Sequence, residues 1–169
     1  MTAAPDLALT ADNTNDTRAI ASVSAAHFVS HVYILLLPPL FEVIRADYQV
    51  SYTELGLALV AFNALTGFFQ TPAGFVVDRV GARIVLICGL LLGSAAVIVA
   101  GVVNSFWVFV AMFGLAGLGN AVYHPADYAL LSHRVGSERL GRAFSIHTFS
   151  GMLGGAVAPG LLLFLYGYV

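Results

Sequence analysis

The chain has 169 residues, 59% of them hydrophobic and 9% charged, with a net charge of -2 and a mean hydropathy of +0.89. A soluble domain carries about 25% charged residues, so this chain holds roughly a third of the supply that a water-facing surface needs. The single cysteine, Cys88, excludes an internal disulfide framework and reads as a small buried hydrophobe.

Residues 1–18 are polar and acidic, with Asp6, Asp12 and Asp16 against Arg18. They lack the basic start and apolar core of a signal peptide, and a disordered cytoplasmic tail is expected there. Beyond them the charges fall in clusters. None lies between Arg18 and Glu42, between Glu54 and Asp78, between Arg83 and Asp127, or after Arg142. A membrane-spanning helix needs about 20 mostly apolar residues. The first, second and last gaps each fit one span, and the third fits two, broken near "VVNSFW".

The first predicted span covers about 19–44, with Pro38 and Pro39 kinking or ending its outer part. It carries Ser24, His27 and His31 at helical spacing. The second, about 51–77, opens on the capping box "SYTE", in which Ser51 and Glu54 satisfy one another. Its polar and small face runs through Asn63, Thr66, Gly67, Gln70 and Gly74. The third, about 82–102, has almost nothing polar besides Ser94, and is expected to be peripheral and lipid-facing. Gly89 and Gly93 give it a GxxxG spacing suited to close helix packing.

The fourth span, about 105–131, places Asn120, Tyr123, His124 and Asp127 on a single face. Pro125 removes a helix hydrogen bond there and frees the Ala121 carbonyl. The fifth, about 139–166, aligns His147, Ser150, Gly151 and Gly154, and assigns Gly151, Gly155 and Pro159 to packing. Polar faces on the first, second, fourth and fifth spans would be penalised by lipid, so they are expected to line an interior or a water-filled cavity. At about 1.5 Å rise per residue, His31 lies roughly 18 Å from the arginine-bearing side, with Asn63 at a similar depth. His124 and Asp127 fall in the cytoplasmic third of their helix.

These spans define an all-α polytopic membrane bundle of five transmembrane helices over 19–169, with short connections that make sequence neighbours antiparallel. The chain has no lysine, and Arg18, Arg79, Arg83, Arg134, Arg139 and Arg142 flank one side while only Arg45 flanks the other. The positive-inside rule then places the amino terminus in the cytoplasm. Membrane lipid is the expected surrounding, and no nucleic-acid partner is expected.

"GFVVDRVGAR", between the second and third predicted spans, resembles the signature loop of the major facilitator superfamily. Gly74, Asp78, Arg79, Gly81 and Arg83 match its order, with Ala82 where the family usually has Arg. Asp78 can cap or pair with a neighbouring helix end, and the arginines hold the loop at the cytoplasmic surface. The resemblance implies a latch role for the loop. It also implies a peripheral third helix and cavity-lining first, second, fourth and fifth helices, forming part of an amino-terminal half. "YHPADY", "AAH" and "FSGMLGGAVAPG" look like the fosmidomycin-resistance branch of bacterial efflux proteins. Many drug–proton antiporters of the family carry an arginine before a Gly-rich run in the fourth helix; here that position is Phe113, before "GLAGLG".

The implied activity is secondary transport of a small-molecule substrate in a bacterial inner membrane, as proton-coupled efflux, with proton-linked uptake of a polar metabolite as the alternative. His31, Asn63, Gln70, Asn120, Tyr123, His124, Asp127 and His147 are the candidate cavity or proton-path residues, because His changes charge near physiological pH. His124 and Asp127 are expected to act as a gate element or proton relay, against the plainer reading of an interfacial anchor. The family fold has twelve helices in two halves. Five helices cover less than half of it, so a missing second half or another copy is the expected partner.

No enzyme is expected: Ser150 has no base or oxyanion context for an intramembrane protease. No metal or cofactor is expected either. His27 and His31 share one helix face, and no Cys/His metal spacing occurs. A membrane module that only assembles with partners is the remaining alternative.

Overall fold

In the computed structural model the described residues run from 4 to 167, and side chains are described from residue 15 onward. The architecture is all-α, with no strand among the described residues. Seven helices follow in chain order: α1 Ala4–Ile34, α2 Phe41–Tyr48, α3 Tyr52–Val80, α4 Ala82–Val102, α5 Phe106–Asn120, α6 Tyr123–Arg134 and α7 Leu140–Tyr166. They make five segments long and apolar enough to cross a membrane: Asn15–Tyr48, Tyr52–Val80, Ala82–Val102, Phe106–Arg134 and Ser137–Tyr166.

Two expected spans are interrupted, each at proline. The first passes from α1 through a 3-10 turn at Pro38–Leu40 into α2. Proline there withholds backbone donors and disfavours helical geometry in the residue before it. The fourth breaks between Asn120 and Tyr123, because Pro125 has no N–H for the Ala121 carbonyl. Val122 keeps right-handed angles (φ -84°, ψ -16°), so α5 and α6 continue as one span.

The amino-terminal segment departs from expectation. Residues 1–3 lie outside the described residues, but α1 begins at Ala4, so helix occupies the rest of the expected disordered tail. Its last part is also tied down. Asp16 is buried, meets Arg139 at 3.2 Å and accepts from the Gly136 N–H at 3.4 Å. That contact joins the start of the first span to the turn before α7.

At the other end of the bundle, the start of α3 shows the full capping box. The Ser51 side chain accepts from the Glu54 N–H, and the Glu54 carboxylate accepts from the Ser51 N–H at 2.7 Å. Gly81 joins α3 to α4 at φ +100°, a conformation that glycine adopts without steric cost.

The most extensive pairings are α1 with α7, and α5 with both α3 and α4, while α6 touches α1, α3 and α4. Small residues set the closest approaches. A Cβ on Gly117 would collide with the Phe62 backbone, and one on Gly119 would lie 2.8 Å from the Gly89 carbonyl oxygen. Gly93 faces the Tyr33 ring. Polar stitches cross the same interfaces: Thr66 donates to the Gly117 carbonyl at 2.9 Å, and Ser94 pairs with the Tyr33 hydroxyl at 2.7 Å.

Apolar packing fills the space between. One cluster joins Leu37, Leu55, Phe62, Ala96, Phe109 and Phe113; another joins Ile20, Val23, Leu131, Val135 and Ala143. On the outside, Phe68, Phe75, Leu91, Ile98, Trp107, Phe149, Met152 and Phe164 stand exposed. So many large apolar side chains facing outward suit hydrocarbon as solvent and not water. α4 turns Ile84, Leu91, Ile98 and Val102 outward. Cys88, expected to be buried, is exposed on the same helix, beside an apolar groove of about 350 Å³ that includes Phe69, Ala73 and Leu118.

Gly117→Val forces a side chain onto the Phe62 backbone and should lower stability by about 1–3 kcal/mol, the range for overpacking a close interface. Gly67→Ala meets nothing within 4 Å and should leave stability unchanged or slightly raised. Thermal unfolding of both variants in lipid nanodiscs checks the pair.

Candidate functional site

α1, α6 and α7 converge on a polar cluster of one aspartate and four histidines, in which Asp127, His27 and His147 are buried and His31 and His124 half-buried. α1 supplies His27 and His31, one turn apart on the same face; α6 supplies His124 and Asp127; α7 supplies His147. The His27 ring lies at the centre. Its centroid is 4.6 Å from His31, 5.2 Å from His124 and 3.9 Å from His147, the last pair being stacked. His27 Nδ1 is 3.5 Å and His147 Nε2 is 3.8 Å from the same oxygen of Asp127. Asp127 exposes 0% of its surface, His147 1% and His27 4%.

Backbone features bring these side chains together. A Cβ on Gly151 would fall 2.6 Å from His27 Nε2 and 2.9 Å from the His31 ring, so only glycine lets α7 come so close to the rings. One turn on, Gly154 faces the Phe28 backbone. Ser150 donates to the Ser24 carbonyl at 2.8 Å, fixing α7 against α1, and within α1 Ser30 donates to the His27 carbonyl at 2.9 Å. Tyr128, on α6, brackets the cluster from the side, with its ring 5.8 Å from His124 and 5.9 Å from His147.

The cluster is short of hydrogen bonds. His27 Nδ1, His124 Nδ1, both Asp127 oxygens and both His147 nitrogens are buried with no hydrogen-bond partner. The Ser24 hydroxyl, Asn120 Oδ1 and the Tyr123 hydroxyl share that condition. Buried polar atoms are nearly always satisfied, and an exception of this size requires a reason. Chemically, the set is one carboxylate, which only accepts, surrounded by imidazoles that each offer a donor or a lone pair. It is suited to holding a proton or a cation.

The other sequence candidates sit elsewhere. Asp78, Arg79 and Arg83 are exposed at the turn between α3 and α4, with Gly81 at its apex and Gly74 one turn earlier in α3. Asn63 is exposed and donates to its own helix at the Leu59 carbonyl, 2.8 Å away. Gln70 is half-buried on α3. Gly155 faces Leu35 and His31, and Pro159 is half-buried inside α7.

Asp127 meets His27 and His147 across helix interfaces. His27, absent from the candidate set, is the ring that touches every other histidine of the cluster. Its signal was present in the Ser24–His27–His31 stripe, but nothing along the chain says what that stripe faces. One nitrogen from each of His27, His124 and His147 lies within 4.8 Å of the others. Three separate helices supply them, so no local spacing could reveal the group.

With the bundle and its buried cluster in place, likeness to known proteins becomes informative. The profile of the Major Facilitator Superfamily matches residues 23–169. Among relatives, the chain is 29% identical over 119 residues to the "Probable L-galactonate transporter" of Escherichia coli (strain K12), covering 70% of this chain and 26% of that protein. It is 29% identical over 145 residues to the "Multidrug efflux protein YfmO" of Bacillus subtilis (strain 168), covering 86% and 36%. It is 32% identical over 139 residues to the "Multidrug resistance protein MdtH" of Cronobacter sakazakii, covering 75% and 35%. The chain thus spans about a quarter to a third of the length of these relatives. Five apolar spans, the Gly-Asp-Arg-Gly turn between the second and third, and a match over nearly the whole bundle lead to one assignment: this chain is a multi-pass membrane protein of the Major Facilitator Superfamily.

Proposed function

We propose that the chain works as part of a proton-coupled secondary transporter that exports small molecules. The observation that carries this reading is the buried Asp127 with His27 and His147 at the junction of three spans. Ionisable residues inside a membrane are expensive to keep, and in transport proteins they mark ion pathways. Export is supported by the multidrug efflux and multidrug resistance names of two relatives. The strings "YHPADY" and "FSGMLGGAVAPG" add the finer proposal of a fosmidomycin-resistance-type carrier. Uptake of a polar acid is the second reading, favoured by the relatives named as probable L-galactonate and sulfoacetate transporters.

In this reading the coupling ion engages the cluster while substrate contacts lie on the open face of the bundle. Asn63, exposed on α3, and Gln70, half-buried on the same helix, are the contacts this reading assigns to it. The Asp78–Arg83 turn acts as the latch at the arginine-bearing surface. That surface is cytoplasmic, with the amino terminus, in a bacterial inner membrane. The transport cycle further requires a second set of helices, from a longer gene product or from another copy. The intact mass of the native product in its own membranes distinguishes those two sources.

Transport and coupling are tested in everted vesicles carrying the native gene product. Drug or organic-acid flux above vector vesicles is expected, and collapse of the pH gradient with an ionophore should abolish it. Asp127→Asn should reduce coupled flux by at least about tenfold, about 1.4 kcal/mol or more, while leaving the protein in the membrane. Flux unaffected by the ionophore would rule out proton coupling, and no flux above vector would rule out transport.

Topology is tested separately in a Cys88→Ala background. Ser137→Cys should react with an impermeant thiol reagent only from the cytoplasmic side, and Asn104→Cys only from the outside. The reverse pattern would invert the orientation.

A further inference from the structure

We propose that His27, His124, His147 and Asp127 form a binding site for one divalent transition-metal ion of the zinc class. The inference concerns binding alone and stands whether or not the chain transports protons.

The donor set comes first. Three imidazoles and a carboxylate are borderline ligands that suit zinc, cobalt and nickel. No thiolate takes part: Cys88, the sole cysteine, lies exposed on α4. Neutral imidazole lone pairs and a carboxylate are the forms that bind metal, and six donor atoms of these four residues are buried without a hydrogen-bond partner. An unmodified protein interior seldom leaves so many unsatisfied atoms aimed at one another.

Distances come next. At Zn–N bonds of about 2.0–2.1 Å, a tetrahedral site separates neighbouring ligand atoms by about 3.4 Å. His27 Nδ1 and His147 Nε2 lie 3.5 and 3.8 Å from Asp127 Oδ2, close to that edge. Both separations are longer than a hydrogen bond, whose usual N···O range ends at about 3.2 Å. The three ring nitrogens lie within 4.8 Å of one another. Closing that gap needs a movement of up to about 1.4 Å, toward which the imidazoles can rotate about their broad second torsion. The same rotation opens the stacked His27–His147 pair, now at 3.9 Å.

Charge is the third argument. Asp127 has no Arg or Lys partner among its ion contacts, and the chain contains no lysine. A fully buried carboxylate in a membrane span requires neutralisation. A divalent ion bound there offsets the carboxylate charge and takes one nitrogen from each of the three rings. His31, edge-on to His27 at 4.6 Å, then lies outside the ligand set as a neighbour that fixes the His27 ring.

The test uses the 169-residue chain, purified through a tag without histidine, stripped with chelator and placed in nanodiscs. Co²⁺ is the probe, followed by Zn²⁺. One Co²⁺ per chain is expected, with the visible bands of four-coordinate nitrogen/oxygen ligation, bleached as Zn²⁺ displaces it. Asp127→Asn and His147→Gln should each weaken Co²⁺ binding by at least about tenfold, and His133→Gln, outside the cluster, should leave it unchanged. X-ray absorption of the Zn²⁺-loaded wild-type chain, which needs no variant to fold, should show three imidazoles in the first shell. No saturable binding near one equivalent, a six-coordinate or imidazole-free shell, or binding indifferent to both substitutions would overturn the proposal.

Discussion

A carboxylate that exposes none of its surface, inside a segment that crosses a membrane, is the constraint around which this bundle is arranged. A charged side chain buried in a spanning helix is costly, by about 2.5–3.5 kcal/mol at the centre on the mildest scale and by less toward the ends, and Asp127 lies in the last third of its span. Asp127 has no arginine to offset that cost; it has imidazoles on two other helices. The bundle brings them within reach through two backbone concessions. Pro125 interrupts the fourth span just before Asp127, and Gly151 removes the only carbon that would hold α7 away from the histidine rings. Both changes weaken an isolated helix. They make sense as local losses accepted for the sake of the cluster.

The remainder of the fold follows from hydrocarbon as solvent. Lipid tails are as apolar as leucine, so burying Leu or Phe against another helix gains little from the hydrophobic effect. Packing therefore falls to close backbone approach, at Gly117 against Phe62 and at Gly119 against Gly89, and to short hydroxyl bonds such as Thr66 to Gly117. This explains why the polar stripes and the glycines coincide on the same helix faces. A stripe that lipid rejects and a surface that lets backbones approach are both requirements of an inward face.

Much of this was legible in the sequence, and what was not has a physical cause. The uncharged gaps defined the five spans, because a bilayer excludes charge residue by residue. The capping box at Ser51–Glu54 and the turn at Gly81 were local signals with local causes. The break after Asn120 was half legible: Pro125 announced a lost hydrogen bond, but not that the helix would restart at Tyr123. The helix through residues 4–18 was not legible, since those residues are polar. The described contact that holds its last turns, Asp16 to Arg139, reaches 123 positions along the chain. The cluster failed for the same reason of distance. Each of its residues lay on a recognisable polar stripe, but a stripe reports only the direction a helix faces inward. Which stripes meet is decided by the pairing of α1 with α7 and of α6 with α1.

That pairing bears on how such a bundle can respond to a ligand. His27, Asp127 and His147 belong to three spans. The first and last are also held by Ser150 on Ser24, by Asp16 on Arg139 and by the close approach at Gly154. The cluster adds a constraint that includes α6, because a carboxylate and several rings can satisfy one another, or one ion, only over a narrow range of distances. A ligand changes an equilibrium between two arrangements only by binding one of them better. Any proton or cation that engages Asp127 binds across all three spans at once, so its affinity depends on their spacing. By reciprocity, the spacing then depends on whether the ion is bound. Coupling between ion and helix movement is thus built into the location of the charge: a buried acid on a single helix, satisfied within that helix, could titrate or bind without the neighbouring spans being affected.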